Sequence, residues 1–310
     1  MDRTEARAHL TGPISSIRTP FNRDGSVDYE GLRRQIDTVI ANGSKTVLLT
    51  AGDSHYLCLG DEEIAEITRV TCEQTTGRAM TVAADRWHST DRSVEFARYA
   101  RSVGADVVMV LPPNWGPSVT PETLTEHYRT ISQEMPVMIV TGLFSAQGPA
   151  FGLETIERTL DQCDNVVAIK DDLCGDFARR LCLLAHDRVP VFAGGQKVNH
   201  MNMWPYGCDG FMSTYLTFAP EITWKYWNAV QEKDLEAARA VIRDYDMPFF
   251  DFLPTFTGGW NAAVHGTLEL FGVCGRWRRP PYYSLEDTEM ERLAEFFRDK
   301  GLGENISWKG

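Results

Sequence analysis

No stretch of this 310-residue sequence reaches the roughly 18 consecutive apolar residues of a membrane span. Its first ten residues, MDRTEARAHL, are charged and lack the apolar centre of a secretory signal. Positive charge is in short supply: 31 lysines and arginines face 43 aspartates and glutamates, a net charge of −12. That balance argues against nucleic acid or an anionic membrane as a partner. It does not exclude a small acidic substrate, which local groups can hold against the global field. A disulfide framework is missing too. The seven cysteines, at 58, 72, 163, 174, 182, 208 and 274, are odd in number and contain no Cys-x-x-Cys. They read as free thiols in a reducing compartment, and the expected location is cytoplasmic. The seven histidines, at 9, 55, 88, 127, 186, 200 and 265, show no ligand spacing such as His-Glu-x-x-His, so no metal is implied. A Gly-rich phosphate turn is also absent after the first apolar run, which continues as TPFNRDG.

What is present is a large apolar fraction, 43%, enough for a substantial core. Short apolar runs alternate with helical patterns almost from end to end. The runs lie at 13–21, 46–52, 79–85, 106–112, 136–142, 166–172, 189–195 and 209–214. Most lack polar alternation, as expected of parallel strands covered on both faces. Between them come amphipathic segments with recognisable ends. Leu32, Ile36, Val39 and Ile40 share one helical face before Gly43, and Thr120 with Pro121 reads as a helix start. Eight such units predict a (β/α)8 TIM barrel over residues 1–232. Three more helical patterns over 233–310 predict a C-terminal helical appendage packed on it.

In that architecture chemistry is done at the C-terminal ends of the strands. One residue there stands out. The run VVAIKDD (166–172) carries an apolar strand straight into Lys170, followed by Asp171 and Asp172. Lysine is among the side chains least often fully buried. Two readings follow. Lys170 pairs with Asp171 or Asp172 at the rim, or it is kept for its amine. An amine walled in by apolar strands loses solvation, which disfavours the charged form of a lysine and makes it a nucleophile toward carbonyls. Ala168, two residues earlier on the same face, leaves room for a substrate. The other polar strand ends supply Thr50, Thr141, Gly195 and Ser213, with His55, Asp85 and His88 as candidate bases. Arg86 is placed to hold a second substrate carboxylate. The stretch AGGQK, with Lys197, is a weaker phosphate-site candidate.

Several of these segments together resemble the dihydrodipicolinate synthase / N-acetylneuraminate lyase superfamily. TPF (19–21), TAGDSHYL (50–57), GADVVMVLPP (104–113), AIKDD (168–172) and FAGG (192–195) are similar to that superfamily's motifs in order and spacing. The resemblance implies a barrel whose strand-six lysine, here Lys170, forms a Schiff base with a 2-oxo acid. It implies that Thr50 and the backbone at Ala51 and Gly52 hold the substrate carboxylate. It implies no cofactor, and a homotetramer or homodimer.

The sequence also departs from that pattern. Ala51 stands where a second hydroxyl residue is usual. Val140-Thr141 stands where strand five usually carries Tyr-Asn, whose tyrosine shuttles protons. Three readings remain. The first is a dehydratase of a 2-keto-3-deoxy sugar acid, a reaction with no requirement for that tyrosine; IKDDLCGD and RRPPYYSL are similar to sugar-acid dehydratases. The second is a pyruvate-dependent aldolase or hydratase-aldolase, with Tyr56, Trp87 and Trp115 lining its pocket. The third is an inactive metabolite-binding barrel. Under the first two, Thr141 takes the tyrosine's place, with water or a histidine completing the proton path.

Overall fold

The structure, a computed structural model, describes residues 1–86, 89–111 and 118–303. Eight parallel strands close into a barrel in sequence order. They are β1 (Gly12–Ser16), β2 (Thr46–Leu48), β3 (Met80–Ala84), β4 (Val107–Val110), β5 (Val137–Val140), β6 (Val166–Asp171), β7 (Val191–Ala193) and β8 (Gly210–Met212). Helix α1 (Arg3–Leu10) precedes them. The helices that follow the strands are α2 (Tyr29–Ala41), α3 (Asp61–Thr75), α4 (Thr90–Ser102), α5 (Pro121–Ser132), α6 (Pro149–Gln162), α7 (Gly175–Ala185), α8 (Lys197–Met203) and α9 (Pro220–Gln231). Four more complete the described chain: α10 (Leu235–Val241), α11 (Met247–Phe252), α12 (Gly259–Leu270) and α13 (Asp287–Asp299). This is the (β/α)8 TIM barrel expected from the apolar runs, with helices after it. Among the described residues no helix is long and apolar enough to cross a membrane.

The two faces of each strand explain why the runs read as continuously apolar. Met80, Val82, Ala84, Met109, Met138, Val140, Ala168, Phe192 and Met212 share one cluster, which fills the barrel and extends to α1, α2 and α3. Their neighbours Ala83, Val108, Val110, Ile139, Ile169, Val191 and Phe211 belong to a second cluster, under the helices. Both faces are therefore dry, and a side chain's parity decides which one it joins. The second cluster continues without a break into the C-terminal helices through Phe249, Leu253, Val264 and Phe297.

Helix α1 is the one element without a counterpart among the expected units. Its start is a capping box: the Asp2 side chain accepts from the Thr4 and Glu5 amides, and Glu5 reaches back to the Asp2 amide. Arg3 donates to the carbonyls of Cys163 and Val166, and Arg7 pairs with Asp209. The helix thus caps the N-terminal end of the barrel, opposite the end that carries the chemistry.

Four imidazoles, His55, His127, His200 and His265, are buried in this framework. Burial pushes His200 down to about 3 and His127 down to about 4. At His55, burial and then Arg278 and Arg18 push the ring down to about 3. His265 is driven well below its ordinary value, again first by burial. An unfolded chain takes up protons on these rings near the ordinary value of about 6.5. Between roughly pH 6.5 and 4 the unfolded state therefore binds more protons, and stability falls as the pH falls. The expected loss is about 1 kcal/mol for each imidazole per pH unit below about pH 6. Denaturant midpoints measured from pH 7 to pH 5 check this; a flat profile would show that the folded rings accept protons.

Candidate active site

A cavity of about 310 Å³ opens at the C-terminal ends of the strands. The turn Thr50–Ala51–Gly52–Asp53 after β2 lines one side of it. Lys170 and Asp172, at the end of β6, line it diametrically across the barrel, with Gly194 and Gly195 after β7. Met109, Leu111, Val140 and Met212 complete an apolar wall.

Parity places the reactive groups. Ala168 points into the barrel, so Lys170 and Asp172 follow it on the same face, while Asp171 faces away. Lys170 is 6% exposed, and its ammonium is gripped by both carboxylate oxygens of Asp172. Gly194 makes room for that carboxylate: a Cβ there would collide with Asp172 Oδ1 and come within 3.0 Å of the Asp171 carbonyl. Asp171 is fully buried and accepts from Thr141 Oγ1 (2.7 Å) and the Cys174 amide (2.9 Å). Burial raises its carboxyl above the usual carboxylate range, against those hydrogen bonds. The Thr141 oxygen also accepts from the Asp172 amide at 3.0 Å. One hydroxyl therefore fixes both aspartates, and with them the end of β6.

The β2 turn presents hydrogen-bond donors at the strand end. Thr50 Oγ1 accepts from the Asp53 amide at 2.9 Å, which leaves its own proton free to donate. Among the hydrogen bonds of the described residues, none engages the Ala51 or Gly52 amide as donor. Asp53 is held by the Ser16 hydroxyl (2.5 Å) and by Arg18 (3.4 Å). Burial pushes its carboxyl up, but Arg18, Ser16 and the nearby Lys170 outweigh burial and hold it below the usual range. It stays ionised and committed to those partners.

The cavity thus brings together Lys170, Thr50, Ala51, Gly52 and Gly195. Other candidates from the sequence lie elsewhere. Thr141 is fully buried behind the wall, bonded to the aspartate backbone and side chain rather than opening into the cavity. His55 meets His265 of α12 at 2.8 Å, with its ring neutral at physiological pH. Asp85 accepts from the Arg86 amide at 2.6 Å and lines a separate cavity of about 130 Å³. The Ser213 hydroxyl turns away to Thr223 of α9 at 2.8 Å. His88, with Trp87, Asn114 and Trp115, lies outside the described residues.

Two expectations are corrected. Arg86 does not await a second carboxylate: it pairs with Asp61 of α3 and donates toward the Leu59 carbonyl. Lys197 does not offer its charge to a phosphate: it is 2% exposed and bonded to Asp246 at 2.7 Å. In both cases the partner is an acidic residue far along the chain, invisible to local spacing. Two residues of the site stand at strand ends in the sequence but carry no substrate role there: Asp172, read as a rim partner of Lys170, lines the cavity, and Gly194 leaves the space its carboxylate occupies. The period of two that put Ala168 beside Lys170 also puts Asp172 there, and was the available signal.

Barrel, cavity and buried amine suit a lyase that works through a lysine Schiff base, and that is the class to which the family match assigns this chain. The chain belongs to the dihydrodipicolinate synthetase family, whose model matches residues 9–300. It is 28% identical over 298 residues to the 4-hydroxy-tetrahydrodipicolinate synthase of Methylibium petroleiphilum, covering 94% of this chain and 99% of that one. Its fold is similar to dihydrodipicolinate synthase from Aquifex aeolicus, with a TM-score of 0.78, 22% identity and coverage of 97% and 100%. N-acetylneuraminate lyase from Mycoplasma synoviae shares the fold at a TM-score of 0.79 and 19% identity, with coverage of 94% and 98%.

Proposed function

We propose that this protein dehydrates a 2-keto-3-deoxy sugar acid carrying a single carboxylate, through a Schiff base on Lys170. The observation that carries the reading is the buried Lys170 amine, opening into a cavity across from the Thr50–Gly52 turn. The turn's free amides and the Thr50 hydroxyl suit the C1 carboxylate. That would set the neighbouring C2 carbonyl toward Lys170, and the iminium formed there acidifies the C3 protons.

Two features favour loss of water over carbon–carbon cleavage. Val140, which pairs with Lys170 across β5 and β6, presents no hydroxyl to the cavity. The ionisable lining groups other than Lys170 are, among the described residues, the carboxyls Asp53 and Asp172. Once Asp172 has taken the Lys170 proton it is a carboxylic acid beside the reacting centre. Dehydration needs such a donor to the departing hydroxyl, whereas aldol cleavage needs a base at the C4 hydroxyl, the task of the tyrosine that strand five lacks. The choice of a monoacid follows from the same lining. Lys170 is its only cation among the described residues, so a second carboxylate would meet Asp53 and Asp172 without a counter-charge.

The test is borohydride reduction in the presence of pyruvate or of 2-keto-3-deoxy monoacids, followed by peptide mass analysis. The expected result is a reduced adduct on Lys170, and a dehydrated 2-oxo product from the matching monoacid. No adduct with any 2-oxo acid would overturn the Schiff-base reading. Pyruvate released from the same substrates would replace dehydration by aldol cleavage.

A further inference from the structure

We infer that Asp172 is the acid–base residue of this site, moving the protons for which β5 supplies no tyrosine. The inference rests on the Schiff-base reading of Lys170. Among the described residues, four other groups could compete for the role. The Thr141 hydroxyl gives its proton to Asp171 and lies behind the wall. Asp53 is fixed by Ser16 and Arg18. Asp171 faces away and is enclosed by Thr141 and the Cys174 amide. His55 is tied to His265 outside the cavity lining. Among the described residues, Asp172 alone combines direct contact with Lys170 Nζ and a side chain one-third exposed, in the cavity. Its backbone is anchored by Thr141, and the absence of a Cβ at Gly194 leaves its carboxylate room.

The proton sequence closes on this one carboxyl group. In the free protein the ammonium of Lys170 faces the carboxylate of Asp172. As the substrate enters, the proton passes from Nζ to Asp172, and the amine adds to C2 of the 2-oxo acid. A proton shifts from nitrogen to the new C2 oxygen. Asp172 then protonates that hydroxyl, the C2–O bond breaks, and water leaves an iminium and a carboxylate. The carboxylate takes a proton from C3, giving the neutral enamine. The same proton is handed to the C4 hydroxyl as the enamine electrons expel it, and the second water departs. The iminium is now conjugated and Asp172 is again ionised. Addition of water at C2 frees the product and restores the ammonium. One water is consumed and two are released, so the net reaction is loss of one.

The C3 step can be isolated with pyruvate, whose methyl protons exchange with D2O only through the enamine on the enzyme. The experiment follows that exchange by proton NMR in the wild-type protein, in Asp172→Asn and in Asp172→Ala, with borohydride trapping on each. Expected are a trapped adduct in all three, formed more slowly in the two variants but to completion on long incubation, and exchange slowed roughly 100-fold or more in both variants once the adduct has formed, the usual contribution of a positioned general base. Added formate, a small carboxylate, is expected to restore exchange in Asp172→Ala and not in Asp172→Asn, whose amide fills the space. Exchange in both variants within a few-fold of wild type, with the adduct still trapped, would overturn the role of Asp172 and leave the Schiff base standing. Failure of the wild-type protein to be trapped would instead overturn the Schiff base, and this inference with it.

Discussion

Replacing Lys170 by arginine is expected to abolish turnover, lowering kcat/KM by roughly 10⁴-fold or more, as loss of a covalent nucleophile does elsewhere. Arginine is the informative substitution because two explanations of this residue predict opposite results. Lys170 does form an ion pair with Asp172, which is what an unremarkable rim lysine would do. Arginine preserves such a pair, with a guanidinium well suited to a carboxylate. It cannot supply a neutral amine, since its charge persists through the working pH range. If the lysine serves only the pair, Lys170→Arg keeps activity on the 2-oxo acid that the wild-type protein turns over. If it serves as nucleophile, the variant is folded and inactive, and borohydride leaves no adduct at position 170. Lys170→Ala should be equally inactive. Asp172 is one-third exposed and can be rehydrated there, so the fold is expected to survive that change as well. The ion pair and the chemistry are then two states of one pair of residues.

Much of this architecture was legible because one physical signal repeats. Each of the eight apolar runs is buried on both faces, so each announces a parallel strand without needing its neighbours. The ends of β2, β6 and β7 were legible for the same reason: polar groups there have left the core and can reach a substrate. What the sequence concealed depends on direction and distance. Thr141 and Lys170 both stand at strand ends, but Lys170 follows the inward parity of Ala168 while Thr141 follows the inward-facing Val140, one residue out of phase. That single step turns a candidate proton donor into the clasp of Asp171 and Asp172. Ser213 follows Met212 in the same way and is lost to the cavity. Arg86 and His55 were hidden by distance, since Asp61 lies at the start of the preceding helix, α3, and His265 is 210 residues away. Parity could have been applied before the structure; the long-range partners could not.

Lys197 shows how far such a distant partner can matter. It begins α8, two residues after Gly195, and its side chain is buried with that of Asp246, each 2% exposed. Asp246 closes the π-helical turn between α10 and α11. One of its oxygens takes the Lys197 ammonium at 2.7 Å, and the other takes the Lys197 amide at 2.9 Å, capping the first turn of α8. The ammonium also lies over the Tyr215 ring, 4.6 Å from its centre. Lys197→Met keeps the bulk and removes the charge, stranding a carboxylate in the interior with one amide donor. The expected cost is about 3–5 kcal/mol, the range for a buried pair broken on one side. Lys197→Met with Asp246→Leu removes both charges and should recover a large part of that loss, because neither desolvation penalty then remains. It cannot recover all of it, since the α8 cap goes with Asp246. Urea midpoints for the two variants and for wild type measure the difference directly. A single variant as stable as wild type would mean that water reaches Asp246. A double variant no better than the single one would mean that the cap, rather than the charge pair, holds α8, and through it Gly194 and Gly195, against the C-terminal helices.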